Sequence, residues 1–344
     1  MKYEIKITRR NLSFKTPATT SRGTYNSHFC LVVRISRPEN PKIFGKGECS
    51  PLPGLSIDHF KGYEAMLRQI CDMIAHTGEV PTKLLRNYPS MLFGIETAMA
   101  QLNAGGKFGF YDTPFAKGKD RIPINALVWM GPPEHMLAQA EEKISQGCQC
   151  IKLKIGSNDF DAEQTVIRKI RMLKKRDELE IRLDANGAYT PEEAYDKLLK
   201  LSPYGIHSIE QPIKPHQWEA MADLCRHSPI PIALDEELIG LNIKEMKENM
   251  LDAIHPQYIV IKPTLHGGLS GAREWVELAR KRGIGSWITS ALEANIGLNA
   301  VAQLAADVYG PKIKFPQGLG TGKLYVRNFL LPIYSNGFEI CYRP

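Results

Sequence analysis

Six side chains at the ends of short apolar runs could do chemistry together. The run CIKLKIG, residues 150–156, carries Lys152 and Lys154, which on a strand point to the same side. Three later runs end in acids: Asp184 in EIRLDAN, Glu210 in IHSIEQP and Asp235 in IPIALDEE. The next, YIVIKPT, supplies Lys262. Three carboxylates brought into one pocket repel and push one another's pKa upward. A divalent cation resolves that repulsion. An all-oxygen set without His or Cys favours a hard ion, Mg²⁺, with Mn²⁺ as the natural substitute. A lysine desolvated beside such an ion has its pKa lowered and can act as a general base. The ion can in turn stabilise the enediolate left when the α-proton of a bound carboxylate is removed. Any single acid could instead cap the helix that follows it, and two alternating lysines could mark a solvated strand face. The second alternative fails inside a parallel barrel, where no strand face is solvated.

The spacing says which elements must position these groups. Residues 154, 184, 210, 235, 262, 290 and 318 follow one another at intervals of 25 to 30 residues. That is the length of a strand, a turn, a helix and a return loop. Strands are expected at 122–128, 150–156, 180–186, 206–212, 230–237, 258–264 and 285–291, with a weaker one at 312–318. This α/β rhythm predicts a modified (β/α)8-type barrel, (β/α)7β, over residues 121–320, with the site at the C-terminal strand ends. An open doubly wound sheet is the rival, but no Gly-rich phosphate loop follows the first strand. Thr190-Pro191-Glu192-Glu193 reads as a capping box, Ser270 as a second N-cap and Gly283 as a helix stop. Residues 1–120 read as a separate α+β domain. Alternating strands are expected at 2–10 and 29–36, a mobile polar loop at 16–27, a Gly/Pro-rich turn at 45–54, and helices at 60–75 and 90–103. Gly45-Lys46-Gly47 is taken as part of that turn.

Composition narrows the class. The 344 residues are 24% charged and 43% hydrophobic, enough for a large core or two domains. No apolar run approaches a membrane span, and MKYEIKITRR carries no apolar stretch of a secretory signal. The seven cysteines are scattered, and Cys148 and Cys150 lack a matching Cys/His pair for zinc. Reduced thiols in a cytoplasmic protein are expected. The net charge of +7 suits an anionic small-molecule substrate or an ordinary surface. No basic-aromatic motif or recognition helix points to nucleic acid. The sequence does not fix an oligomeric state.

Taken together, KLK at 152–154, DANGAY at 184–189, EQP at 210–212, DEE at 235–237 and IKP at 261–263 resemble the enolase superfamily, in its muconate-lactonising subgroup. The resemblance covers residues 121–320. It implies that residues 1–120 are the family's α+β capping domain, onto which residues 321–344 pack back. It also implies that Asp184, Glu210 and Asp235 ligate Mg²⁺, that Lys154 is the acid/base on one face, and that Lys262 stands on the opposite face. Lys152 would be a supporting cation near the substrate carboxylate, and Asn186 a polar partner behind the ligands.

The subgroup shares α-proton abstraction and diverges afterwards, into dehydration to o-succinylbenzoate, 1,1-proton transfer on dipeptides or N-succinyl amino acids, and cycloisomerisation. Its dipeptide epimerases carry an acidic motif after the last barrel strand. Here residues 317–322, QGLGTG, hold no acid, so a cationic substrate end is not expected. Residues 289–298, TSALEANIGL, are similar to the seventh-strand segment of the subgroup's dehydratases, where hydroxyls and amides meet a succinyl carboxylate. Ser290 and Gly318 are therefore expected at the substrate, and a helix starting near Glu293 would present amide donors to an anion. The expected reaction is a Mg²⁺-dependent syn dehydration of 2-succinyl-6-hydroxy-2,4-cyclohexadiene-1-carboxylate. A racemase or epimerase is the alternative from the same subgroup, and a catalytically silent acid-binding barrel the alternative from another class. Arg22 and Tyr25, in the early loop, are candidate substrate contacts. Leu52-Pro53-Gly54-Leu55 is a second capping loop or a turn, and Trp129 and Met130 line the pocket or pack in the core. Tyr189, His207, His216, His255 and His266 are taken as structural. A lysine rather than a His–Asp pair on the sixth strand separates the chain from mandelate-racemase types.

Overall fold

The computed structural model describes residues 1–20 and 23–344. It opens on an antiparallel sheet of β1 (Glu4–Thr20), β2 (Gly23–Arg37) and β3 (Asn40–Cys49). Among the described residues, the loop expected at 16–27 is instead the paired ends of β1 and β2. Pairing runs out to Thr20 opposite Gly23, past a register shift between Ser13 and Ala18. Residues 23–27 are mostly exposed, so the missing apolar alternation reflects water on both faces, not unpaired backbone. The turn expected at 45–54 is likewise corrected, because Gly45 and Gly47 lie inside β3. The strand runs against the helix at Pro89–Asn103, and a Cβ on Gly47 would fall 1.7 Å from the Gly94 carbonyl oxygen. Glycine is present here for close backbone approach, which sequence alone confuses with a turn. Helices α1 (Tyr63–Thr77), α2 (Thr82–Leu85) and α3 (Pro89–Asn103) complete this domain around Leu31, Val33, Ile35, Leu67, Ile70 and Ile95.

After the short β4 (Ile122–Pro123), seven parallel strands follow: β5 (Ala126–Val128), β6 (Cys150–Lys154), β7 (Glu180–Asp184), β8 (Ser208–Glu210), β9 (Ile232–Leu234), β10 (Tyr258–Ile261) and β11 (Gly285–Ile288). They lie side by side in chain order. The helices after them are α4 (Pro133–Ser145), α5 (Phe160–Leu173), α6 (Pro191–Leu201), α7 (Trp218–His227), α8 (Lys244–Ile254), α9 (Gly268–Lys281) and α10 (Asn295–Tyr309). The expected eighth strand shrinks to residues 317–318. Gln317 bridges Ile124 and Gly318 bridges Thr289, both parallel, and this closes the ring between its first and seventh strands. The Gln317 side chain substitutes for part of the missing ladder by accepting the Ile288 amide at 2.7 Å. Residues 311–315 are largely exposed, which explains why the segment is short.

The Thr190 capping box forms, with Glu193 N donating to the Thr190 hydroxyl at 3.4 Å and Thr190 N to the Glu193 carboxylate at 3.1 Å. Ser270 does not cap α9. The helix begins earlier, after Gly267, and no side chain of its own caps it. Beyond the barrel, Phe14 bridges Tyr325, and the hairpin β12 (Ile333–Asn336) and β13 (Glu339–Tyr342) pairs with β4 at the barrel's entry. All seven cysteines are buried free thiols, and among the described residues no helix is long and apolar enough to cross a membrane.

Candidate active site

Alternation on β6 builds one wall of the site. Ile151 and Leu153 pack into the layer between strands and helices. The intervening Lys152 and Lys154 must then point inside the ring. Asp184 and Glu210 are the last residues of β7 and β8, Asp235 follows β9, and Lys262 follows β10. All three acids are buried. Lys152 Nζ lies 2.7 Å from Asp184 Oδ2 and 2.5 Å from Glu210 Oε2. Lys154 Nζ lies 2.6 Å from the same Asp184 oxygen and 2.8 Å from Asn186 Oδ1. Lys262 pairs with Asp235. Asn186 adopts φ 45°, an uncommon conformation, and donates to Glu236 Oε1 at 2.8 Å.

These contacts set the charge states. Burial raises the Asp184 carboxyl, but Lys152, Lys154 and Lys262 overcome it and hold the acid well below the usual range. Burial, joined by the Asp184 charge, pushes Glu210 up to about 8, and burial raises Asp235 as well. Burial works to lower the Lys152 and Lys262 ammonium groups, yet the surrounding carboxylates outweigh it and raise both. A lysine lowered towards neutrality is therefore not what these two residues show. Charge balance with three acids keeps them cationic.

Among the described residues no three acidic, His or Cys groups stand together in metal-holding geometry, because the carboxylates lean onto lysines. Glu210 Oε1 and Asp235 Oδ1 are nevertheless buried without any hydrogen-bond partner. A buried acceptor left unpaired is costly. Two such oxygens on neighbouring strand ends, in an all-oxygen set, fit a hard divalent cation.

Lys152, Lys154, Lys262, Asn186 and Glu236 floor a cavity of about 420 Å³, with Asp184, Glu210 and Asp235 buried against the lysines. Tyr25, Leu52, Leu55, Trp129, Ser290 and Gly318 line it, so the 52–55 segment is part of the wall and Trp129 faces the cavity. The Tyr25 hydroxyl is held by the Pro53 carbonyl at 2.9 Å, and the Ser290 hydroxyl donates to Thr321 Oγ1 at 2.9 Å. Arg22 lies outside the described residues. His266 Nδ1 accepts the Lys262 amide at 3.0 Å, which makes it a brace for that lysine's backbone.

One expectation is overturned. The start of α10 does not offer free amides to a substrate anion. Ala294 N and Gly297 N donate to Glu48 of the capping domain at 2.8 and 2.9 Å, and Ala291 N donates to Glu293. The sequence hid Glu48 inside a strand that reads as a turn. It also gave no weight to Lys323, which lines the cavity just beyond the eighth strand and makes no ion pair among the described residues.

The model of the family described as "Enolase C-terminal domain-like" matches residues 135–314. An o-succinylbenzoate synthase of Desulfotalea psychrophila is 43% identical over 94% of this chain and 95% of its own length. The crystal structure of MenC from Desulfotalea psychrophila superposes with a TM-score of 0.84 and 39% identity, covering 99% of this chain and 100% of that one. The L-Ala-D/L-Glu epimerase from Bacillus subtilis, in a substrate-liganded complex, shares the fold with a TM-score of 0.82 and 23% identity over 100% of this chain and 97% of that one.

Proposed function

The chain belongs to the enolase superfamily, and we propose that within it the chain acts as an o-succinylbenzoate synthase. The substrate would be 2-succinyl-6-hydroxy-2,4-cyclohexadiene-1-carboxylate, dehydrated with syn geometry in menaquinone biosynthesis. The observation that carries the reading is the pair Lys154 and Lys262, held by the second and sixth of eight strands in one cavity, each paired with a buried acid.

In this reading Lys154, as the free amine, takes the α-proton from the ring carbon bearing the carboxylate. The electron pair moves into the carboxylate, then returns to expel the ring hydroxyl on the same face. The Lys154 ammonium hands its proton to that hydroxyl, so water leaves and the ring becomes aromatic. Asn186 keeps the Lys154 head group aimed. Lys262 stays protonated on the other face, where a desolvated ammonium over the π-system is worth up to about 2 kcal/mol. Asp184, Glu210 and Asp235 would hold Mg²⁺, or Mn²⁺ in its place, supplying positive charge against the substrate carboxylate. Lys152, bridging Asp184 and Glu210, adds a fixed positive charge beside it.

Two features favour a substrate with an anionic tail over a dipeptide. Residues 317–322 hold no acid, and the next residue, Lys323, is a cavity-lining cation. Ser290 and Gly318 then stand where the succinyl group would reach. Buried free thiols fit the reducing cytoplasm.

The test is an ultraviolet assay of the diene with and without Mg²⁺. Mg²⁺-dependent loss of the diene with formation of o-succinylbenzoate is expected. If the diene persists while N-succinyl amino acids exchange their α-hydrogen with D₂O from both enantiomers, the chain is a racemase instead.

A further inference from the structure

Helices α9 and α10 follow the two strands that deliver Lys262 and Ser290, yet neither caps itself. Their N-cap residues are Gly267 and Ala294, and no local side chain accepts their first amides. A helix start normally finds such an acceptor among Ser, Thr, Asp or Asn at that position. Asn295 N at the start of α10 is taken by Asn328 Oδ1 of the C-terminal segment at 2.8 Å, and the other side-chain acceptors at these two helix starts come from the capping domain. Glu48 of β3, fully buried, takes Ala294 N on one oxygen at 2.8 Å and Gly297 N on the other at 2.9 Å. Glu96 of α3 takes Ser270 N in the first turn of α9 at 3.1 Å.

Glu48 also lies against a second buried acid. Glu293 accepts the Thr264 hydroxyl from the Lys262 loop and Ala291 N from the Ser290 loop, so it ties the sixth and seventh strand ends together. Gly297 permits this arrangement. A Cβ there would come 2.6 Å from Glu293 Cβ and 3.3 Å from Glu48 Oε2. Around these acids, Leu12, Phe14, Cys30 and Val32 of the capping sheet pack on Ala294 and Ile296.

We propose that Glu48 and Glu96 are positioning residues: the capping domain supplies the helix caps that the barrel lacks, and so holds the Lys262 loop and residues 290–294 in register with the substrate. Neither acid touches the cavity; each acts through the helix start it holds. The dipole at each N-terminus and the charge-assisted hydrogen bonds favour a carboxylate in these places. Gln at position 48 keeps the volume, but its amide group can accept on one side only and turns a donor towards the second amide. The kinetic readout rests on the proposed function, whereas the exchange readout does not.

The experiment uses the full chain with Glu48→Gln and Glu96→Gln. Amide hydrogen–deuterium exchange is followed by peptide, kinetics are measured with Mg²⁺ and the cyclohexadiene carboxylate, and melting is recorded at the same pH. For E48Q, residues 290–298 should exchange about fivefold faster, the size expected for one lost cap, while 150–186 do not change. KM should rise by a similar factor of about five with kcat held within about twofold, and Tm should not fall, since the variant no longer buries a charge. For E96Q the faster exchange should fall on residues 266–272. Unchanged exchange in both segments overturns the proposal. So does a rise in KM that appears only together with a fall in Tm, which would mark the acids as general interface packing. If the wild-type chain does not turn over the diene, the proposed function fails and the exchange data still decide the positioning role.

Discussion

Asp184 accepts from both Lys152 and Lys154, so a single carboxylate oxygen sets the position of two ammonium groups. The Lys154 head group is also held by Asn186, and Lys262 by Asp235, so each lysine has a fixed direction into the cavity. On the proposed mechanism, Lys154→Ala removes the group that carries the proton and Lys262→Ala removes the opposing charge. Both should lower kcat by about 10³-fold or more with folding intact, judged by circular dichroism. Full activity in either variant would exclude the mechanism. The unpaired oxygens of Glu210 and Asp235 lead to a second expectation. Chelation with EDTA should abolish turnover, and Mg²⁺ or Mn²⁺ should restore it. At the rim, Lys323→Ala should raise KM by about tenfold for the succinylated substrate and leave kcat nearly unchanged, the pattern of a lost binding contact. An unchanged KM would remove Lys323 from the substrate's path.

Among the elements, β3 shows how packing overrides local signals. Its glycines look like punctuation, but the strand and α3 approach so closely that no side chain fits between them. Gly47→Ala would drive a methyl group into the Gly94 carbonyl, and the neighbouring backbone cannot yield as a flexible side chain could. A loss of at least about 3 kcal/mol in urea unfolding is expected. An alanine variant of wild-type stability would mean that the helix can move away. The same β3 carries Glu48 one residue later, so the glycine that admits the helix also places the acid against α10.

At the scale of the whole molecule, burial of Glu48 between the domains makes stability depend on pH. Burial raises its pKa from 4.5 to about 7, against the opposing hydrogen bonds from Ala294 and Gly297, with Glu293 adding repulsion. Below the unfolded value the acid is protonated in both states. As pH rises towards the folded value, the unfolded chain ionises first and folding is progressively penalised. The stability this group contributes is therefore full at low pH and lost as pH rises through about 7. Glu48→Gln has no proton to lose. Its Tm relative to wild type should improve between about pH 5 and about pH 7.5, and a pH-independent difference would show that burial does not shift this acid.

The barrel and its acid–lysine constellation are legible along the chain. Strand alternation fixes which side of β6 the lysines take, and regular spacing returns one polar residue to each strand end. Both signals are local and periodic, so they survive without coordinates. The rest follows from contacts between distant segments. Residues 23–27 at the start of β2 are largely polar because they are mostly exposed, and β3 is glycine-rich because a helix lies on it; a linear reading takes each for a loop. The α10 amides look available until Glu48, distant in sequence, is seen to occupy them. Residues 317–318 close the ring with bridges much shorter than the strand expected at 312–318. In each case the deciding partner is far along the chain, and contact between distant segments leaves no periodic trace in either one.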